Sequence, residues 1–336
     1  MLAPFSSPRD LWEANSSALL QRLGEKEISL LNEARANYDP DKEMENLAKF
    51  DVGYMTIYDK EYPPSLKQAP DCPVILYIKG NPMILKGNII GIVGSRKYSS
   101  YGQKYAYKFA KELSQNGLTV ASGMALGIDA FAHSGAVDGG GLTIGVLGCG
   151  LDKIYPVSNF QVGQDIIKSG GALISEFPLG TPPMKQNFPA RNRIIAGLSL
   201  GVLVIEAAAH SGALITAYQA LEYNREVFAL PGNIDNENSQ GTNRLIKEGA
   251  NLVETSADIL AALNIEKHTL GEKAKELLPE SEDEKKICEA LQKGGLLIDE
   301  IVRETKISIV AVNSGLTFLE MKGLAENLGG GRYKLM

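Results

Sequence analysis

Cysteine is scarce in this sequence: Cys72, Cys149 and Cys288 are far apart and odd in number. Histidine is equally sparse, with His133, His210 and His268 scattered along the chain. Neither a disulfide framework nor a zinc site has the spacing it needs, and no metal is expected; a reducing compartment is the economical reading. Long apolar runs are missing too, since nothing approaches the roughly 20 residues of a membrane span. The opening stretch, MLAPFSSPRDLWEA, lacks the basic start and apolar core of a secretion signal. The expectation is a soluble, cytoplasmic protein that has no membrane partner. Two phosphate fingerprints are also absent from the turns: GxGxxG with a downstream acid at the next strand end, and GxxxxGKS/T. A dinucleotide cofactor and a P-loop are therefore disfavoured, and no cofactor is expected.

Net positive charge is lacking as well: the formal charge is −6. Its distribution matters more than its total. Residues 1–88 hold 10 basic and 13 acidic side chains, residues 89–256 hold 13 and 13, and residues 257–336 hold 11 and 14. The acidic excess lies in the flanks, which leaves room for a local basic site in the middle.

The middle also carries the pattern. Short apolar runs alternate with amphipathic segments, punctuated by glycine or small polar residues, as in a parallel sheet built from βα units. Strands are predicted at 89–95, 118–122, 143–148, 172–176, 201–207, 226–232 and 250–254. Helices are predicted at 101–117, 127–137, 159–171, 191–199, 211–224 and 242–249. Near-continuous Val/Ile/Leu strands require cover on both faces, hence an α/β fold, Rossmann-like and doubly wound, with a mostly parallel sheet. Residues 1–60 read as a short helical segment and 61–263 as the sheet domain. Residues 264–281, polar and charged, read as a linker. In 282–336, three short helices and a strand–turn–strand ending predict a small winged-helix domain.

In open parallel sheets ligands bind beyond the carboxyl ends of the strands. Those ends here run into GSRKYSSYG, SGMALGIDAFAH, SEFPLGTPPMKQNFPARNR, EAAAHSGALITA and PGNIDNENSQGTNR. Glycine lets the backbone approach a ligand, and a turn opening a helix aims N–H groups at an anion, so a phosphate-bearing ligand is expected. Cations decide which kind. Arg96 leaves the first strand; Lys185, Arg191 and Arg193 follow the fourth; Phe188 lies among them with no apolar period to explain it. Cations that track a backbone, plus a ring on which a base stacks, suit single-stranded nucleic acid. The alternatives are loop anchoring for Phe188, and pairing of the arginines with Glu176 or Glu206. Of the two, Arg191 is assigned to DNA and Arg193 to scaffold. Ser122 and Ser211 are in no nucleophile elbow and read as phosphate donors. Asp129 reads as a turn brace and His133 as a satisfied core histidine.

The quoted turns, together with TIGVLGCGLDKIYPVSN and YPPSLKQAPDCPVILYIKGNP, resemble the DprA/Smf family of DNA-processing proteins of bacterial natural transformation. The resemblance runs from about Tyr62 to Leu260, and the C-terminal region resembles the family's winged helix. It implies a homodimer that is not an enzyme, that binds and protects single-stranded DNA, and that loads RecA recombinase while helping displace single-strand-binding protein. It carries the DNA pocket onto Arg96, Lys185 and Phe188, and phosphate-facing donors onto Gly94, Ser95, Ser122, Gly123 and Ser211. Arg191 and Asn192 of the FPxRNR motif complete the set. The first residues resemble the latter part of a SAM-like or helix-hairpin-helix module. Two rival functions are a LOG-like nucleotide phosphoribohydrolase and a duplex-binding regulator acting through the winged helix. The first lacks its acid, because Ala217, Tyr218 and Gln219 stand where carboxylates belong. The second finds one cation, Lys322, on its recognition helix.

Overall fold

The computed structural model describes residues 8–15, 18–19, 23–265, 281–292, 294–321 and 324–335. Most of the expected linker, His268 and Lys322 lie outside the described residues.

Each apolar run in the middle of the chain forms a strand. They are β3 (Ile89–Val93), β4 (Thr119–Ser122), β5 (Thr143–Val146), β6 (Ala172–Ser175), β7 (Gly201–Val204), β8 (Glu226–Ala229) and the short β9 (Asn251–Leu252). All residues of β3 to β7 are buried, as a sheet covered on both faces demands. Upstream, β1 (Gly53–Thr56) and β2 (Ile75–Gly80) form an antiparallel pair, and β2 runs antiparallel to β6. The sheet order is β1-β2-β6-β5-β4-β3-β7-β8-β9. The segment ahead of residue 87 thus supplies two strands of the sheet. The sheet unit starts by residue 53, inside the stretch 1–60 assigned to the N-terminal segment.

The helices before the sheet are α1 (Pro8–Glu13), α2 (Glu25–Asn37) and α3 (Pro40–Lys49), and α4 (Pro64–Lys67) sits between β1 and β2. Covering the sheet are α5 (Ser100–Gln115), α6 (Ile128–Asp138), α7 (Phe160–Lys168), α8 (Asn187–Leu198), α9 (Gly212–Glu222), α10 (Gln240–Lys247) and α11 (Ser256–Ala262). One core gathers Ile90, Ile92, Phe109 and Leu113 between sheet and α5/α6; the other gathers Ile89, Ile194, Ile195, Val202 and Leu214 beneath α8/α9. No helix among the described residues is long and apolar enough to cross a membrane.

The chain winds outward from β3 through β4, β5 and β6, then returns to place β7 against the other edge of β3. Successive connections diverge there, and the turns after β3 and β7 leave a crevice between them.

The C-terminal region folds around its own core of Ile287, Leu291, Ile301, Val312, Leu316 and Leu319. It comprises α12 (Glu282–Leu291), β10 (Leu296–Leu297), α13 (Ile298–Thr305), α14 (Ile309–Met321), β11 (Ala325–Gly329) and β12 (Arg332–Leu335), with strand order β10-β12-β11. This is a winged helix. Its third helix, α14, has the sequence IVAVNSGLTFLEM, which contains no lysine or arginine. Duplex phosphates would find no cation along its described residues.

Candidate nucleic-acid interface

A cleft of about 1090 Å³ opens at the β3/β7 crevice. Of the expected site residues, Gly94, Ser95, Arg96, Lys185, Phe188, Arg191, Asn192 and Ser211 line it. Ser122 and Gly123 do not.

Three cations on its wall are exposed: Arg96, Lys97 and Lys185. Phe188 lines the same cleft and is half-buried, its ring 6.0 Å from that of Tyr155, and the Arg96 guanidinium lies 5.3 Å from the Phe188 centroid. Phe188 is helical here, in the first turn of α8, which begins at Asn187, four residues earlier than the helix start expected at 191. Pro189 explains the shift. A proline in a first turn gives up an N–H that has no intrahelical partner anyway, so it permits a helix start where it would break a helix interior. Asn187 anchors that turn by donating from Nδ2 to the Gly148 carbonyl at 3.1 Å.

Four residues expected at phosphates are turned inward. Arg191 is 3% exposed, and its Nη1 donates to the carbonyls of Gly123 and Val146, the carbonyl ends of two neighbouring strands. Burial lowers its pKa to about 10, while the charge of Asp129 works the other way, so the guanidinium stays protonated at neutral pH. It therefore forms part of the cleft floor with Nη1 committed to tying strand ends together, a correction to its assignment as a DNA contact. Ser122 is fully buried and donates to the Ile92 carbonyl at 2.6 Å. The Gly123 N–H is taken by Asp129 Oδ2 at 3.1 Å, and a Cβ there would lie 2.5 Å from the Arg191 Cζ. Glycine at 123 makes room for the arginine, not for a ligand. Ser95 is 8% exposed; its hydroxyl accepts from the Lys97 N–H at 3.1 Å, and its own N–H goes to the Glu206 carbonyl at 2.8 Å.

Gly94 is needed for packing as well: a Cβ there would fall 2.7 Å from Ile128 at the start of α6. Ser211 remains at the cleft as the N-cap of α9, its hydroxyl accepting from the Ala213 N–H at 3.3 Å. Asn192 bridges α8 to α9 through the Gly212 carbonyl at 3.3 Å. Arg193 is scaffold, within 2.5 Å of Glu176 and 3.5 Å of Asp71.

Sequence reasoning overlooked Lys97, Tyr155, His210 and Asn238, all at the cleft wall. Lys97 stands beside Arg96 and was legible as a second cation. Asn238 reaches the site only through the fold, donating to the Lys97 carbonyl at 2.6 Å across 141 positions of sequence. Two carboxylates line the cleft, Asp129 and Glu237. Asp129 accepts from Gly123 and Ala125 N–H groups and braces the turn; Glu237 is exposed at the rim.

Under the floor, His133 is fully buried with Nδ1 2.7 Å from Thr143 Oγ1. Burial, reinforced by the Arg191 charge, pushes its pKa down to about 3. The unfolded chain takes up this proton near pH 6.5, and the folded chain refuses it until about pH 3. Stability from this residue is complete above the unfolded value and is lost as pH falls through that window, by up to about 1.4 kcal/mol per pH unit. Asp129, raised by burial, contributes the opposite slope and is common to wild type and variant. A His133→Asn variant should therefore show a flatter fall of the thermal midpoint between pH 7 and pH 4. Parallel curves would remove His133 as the cause.

Comparison with known proteins places these features. The model of the family "DNA recombination-mediator protein A" matches residues 53–264, and that of the "DprA winged helix domain" matches residues 271–331. Protein Smf of Synechocystis is 36% identical over 98% of this chain and 92% of its own length. Among solved structures, DNA processing protein A of Streptococcus pneumoniae is 42% identical, with a TM-score of 0.64 over 71% of this chain and 83% of that one. DNA processing protein A of Helicobacter pylori, whose structure was described for its single-stranded DNA binding mode, is 32% identical. Its TM-score is 0.58 over 64% of this chain and 97% of its own.

Proposed function

The chain belongs to the DprA/Smf family of DNA-processing proteins, and from that premise we propose that it binds single-stranded DNA in the β3/β7 cleft. One observation carries this reading: three exposed cations, Arg96, Lys97 and Lys185, line the same cleft as a half-buried aromatic ring, with Arg96 against its face, at the carboxyl edge of the sheet. Charge that follows a phosphate backbone plus a ring that accepts any base is the sequence-tolerant solution to holding a single strand. The solved relative from Helicobacter pylori supports the choice of ligand.

Arg96 and Lys185 serve as phosphate contacts and Phe188 as the base platform, with Tyr155 extending the aromatic surface. Gly94 and Ser95 shape the turn that presents Arg96. Ser211 offers its half-buried hydroxyl and the start of α9 to a phosphate oxygen. The chain works in this reading as a homodimer that protects incoming strands and hands them to RecA, displacing single-strand-binding protein.

A gel shift with an oligo-dT strand and a duplex of equal length tests the ligand class. Tighter binding of the single strand is expected, and preference for the duplex would overturn the proposal. Lys185→Ala should weaken binding at low salt and make the log K against log salt slope shallower by about 0.7, the value for one single-strand phosphate contact. An unchanged slope would take Lys185 out of the pocket. For the loading role, RecA assembly on strands coated with single-strand-binding protein should start sooner when the chain is present; no acceleration would remove that role.

A further inference from the structure

Helix α5 leaves the cleft carrying a stripe of which only Tyr105 packs against the core. Its buried side consists of Gly102, Ala106, Phe109, Ala110, Leu113 and Ser114, the mostly apolar spacing that seats it on the sheet. The opposite side repeats at i, i+3, i+4 and i+7 with Tyr101, Lys104, Tyr105 and Lys108. Tyr101, Lys104 and Lys108 are exposed, and Tyr105 is half-buried. The two tyrosine rings lie 4.6 Å apart, and the ammonium groups of Lys104 and Lys108 lie 5.5 and 5.9 Å from the Tyr105 centroid. Lys108 also faces Glu112 at 3.7 Å, an i,i+4 pair open to solvent on the lysine side and of small worth.

The charge here runs against the rest of the molecule. Between Gly94 and Gln115 stand Arg96, Lys97, Lys104, Lys108 and Lys111 against a single acid, Glu112, in a chain of net charge −6. The stripe is also continuous with the cleft. Lys97 and Tyr98 join β3 to α5, and the Tyr101 hydroxyl donates to the Pro231 carbonyl at 2.8 Å, at the root of the loop that brings Asn238 to Lys97. From Tyr101 to Lys108 the helix rises about 10 Å.

We infer that a single strand held in the cleft continues along this stripe, its phosphates on Lys97, Lys104 and Lys108 and its bases against Tyr101 and Tyr105. The occupant is single-stranded nucleic acid because the face alternates cations with rings, the pairing that serves backbone and bases together. The inference rests on the cleft reading above and adds a second segment to the same path. A strand long enough to reach past the cleft gains contacts that a short one does not.

The test uses the full chain and two probes, an oligo-dT of about 6 nucleotides, within the span of one compact binding fold, and one of about 25. The K104A/K108A double variant should bind the long strand about tenfold more weakly. Its log K against log salt slope should be shallower by about 1.4, two phosphate contacts' worth, with the short strand bound as before. Y101L, which keeps bulk without the ring, should likewise weaken only the long strand. Unchanged long-strand binding in both variants overturns the extended path, and so does an equal loss on both probes, which would mean that the lysines act on the cleft. Failure of the cleft reading shows differently: Arg96→Ala would then leave the short strand's affinity untouched.

Discussion

Phe188→Ala should weaken binding of an oligo-dT strand by about 5- to 150-fold, the roughly 1–3 kcal/mol that a base loses with its stacking partner. Three features position the ring: the first turn of α8, the Tyr155 ring at 6.0 Å and the Arg96 guanidinium at 5.3 Å. Phe188→Tyr keeps the aromatic face and should retain most of the affinity. Arg96→Ala should lower affinity and flatten the salt slope if, as proposed, its charge serves a phosphate. Arg96 also sits against Phe188, so the two substitutions share a site. The double variant should therefore cost less than the sum of the singles. Fluorescence anisotropy on the four proteins at two salt concentrations gives the cycle. Affinity that survives Phe188→Ala unchanged would return the ring to the role of a loop anchor.

Arg191→Met should act on stability, by about 3–5 kcal/mol, the range for removing one partner of a buried charge network. The carbonyls of Gly123 and Val146 lose their donor, and Asp129, buried beside the site, loses the nearest compensating charge. Differential scanning calorimetry should show a fall of the midpoint on the order of 10 °C. Adding Asp129→Asn should recover part of it by removing the stranded carboxylate. Measured where the variant is still folded, oligo-dT affinity should drop far less than in Arg96→Ala. A large affinity loss with an unchanged midpoint would reverse the assignment and return Arg191 to the DNA.

The difference between these two arginines was not legible in the local sequence. Both stand near glycine-rich turns at strand ends, and both are surrounded by small or polar residues. Arg191 is inward because its side of α8 faces the ends of β4 and β5, and its acceptors lie 68 and 45 positions away. Ser122 and Gly123 misled for the same reason. A serine followed by glycine after a strand is compatible with a ligand turn and with a floor packed around a buried guanidinium, and only the contents of the floor distinguish them. The start of α8 at Asn187, ahead of the expected 191, is compatible with Pro189 because a proline in the first turn gives up no intrahelical hydrogen bond.

By itself the sequence determined the alternation of strand and helix, the winged helix, the rim of polar turns and the cations and ring that occupy it. These are local matters: apolar period, glycine placement and residue type act within a few positions and leave their mark in the text of the chain. The tertiary structure alone decided that β1 and β2 extend the sheet and that β7 returns beside β3 to open the cleft. It also set Arg96 over Phe188, brought Asn238 to Lys97 and turned Arg191 inward. Strand order and side-chain burial are set by contacts between distant segments, and a residue's polarity is the same whether its partner is a phosphate or a carbonyl at the end of another strand.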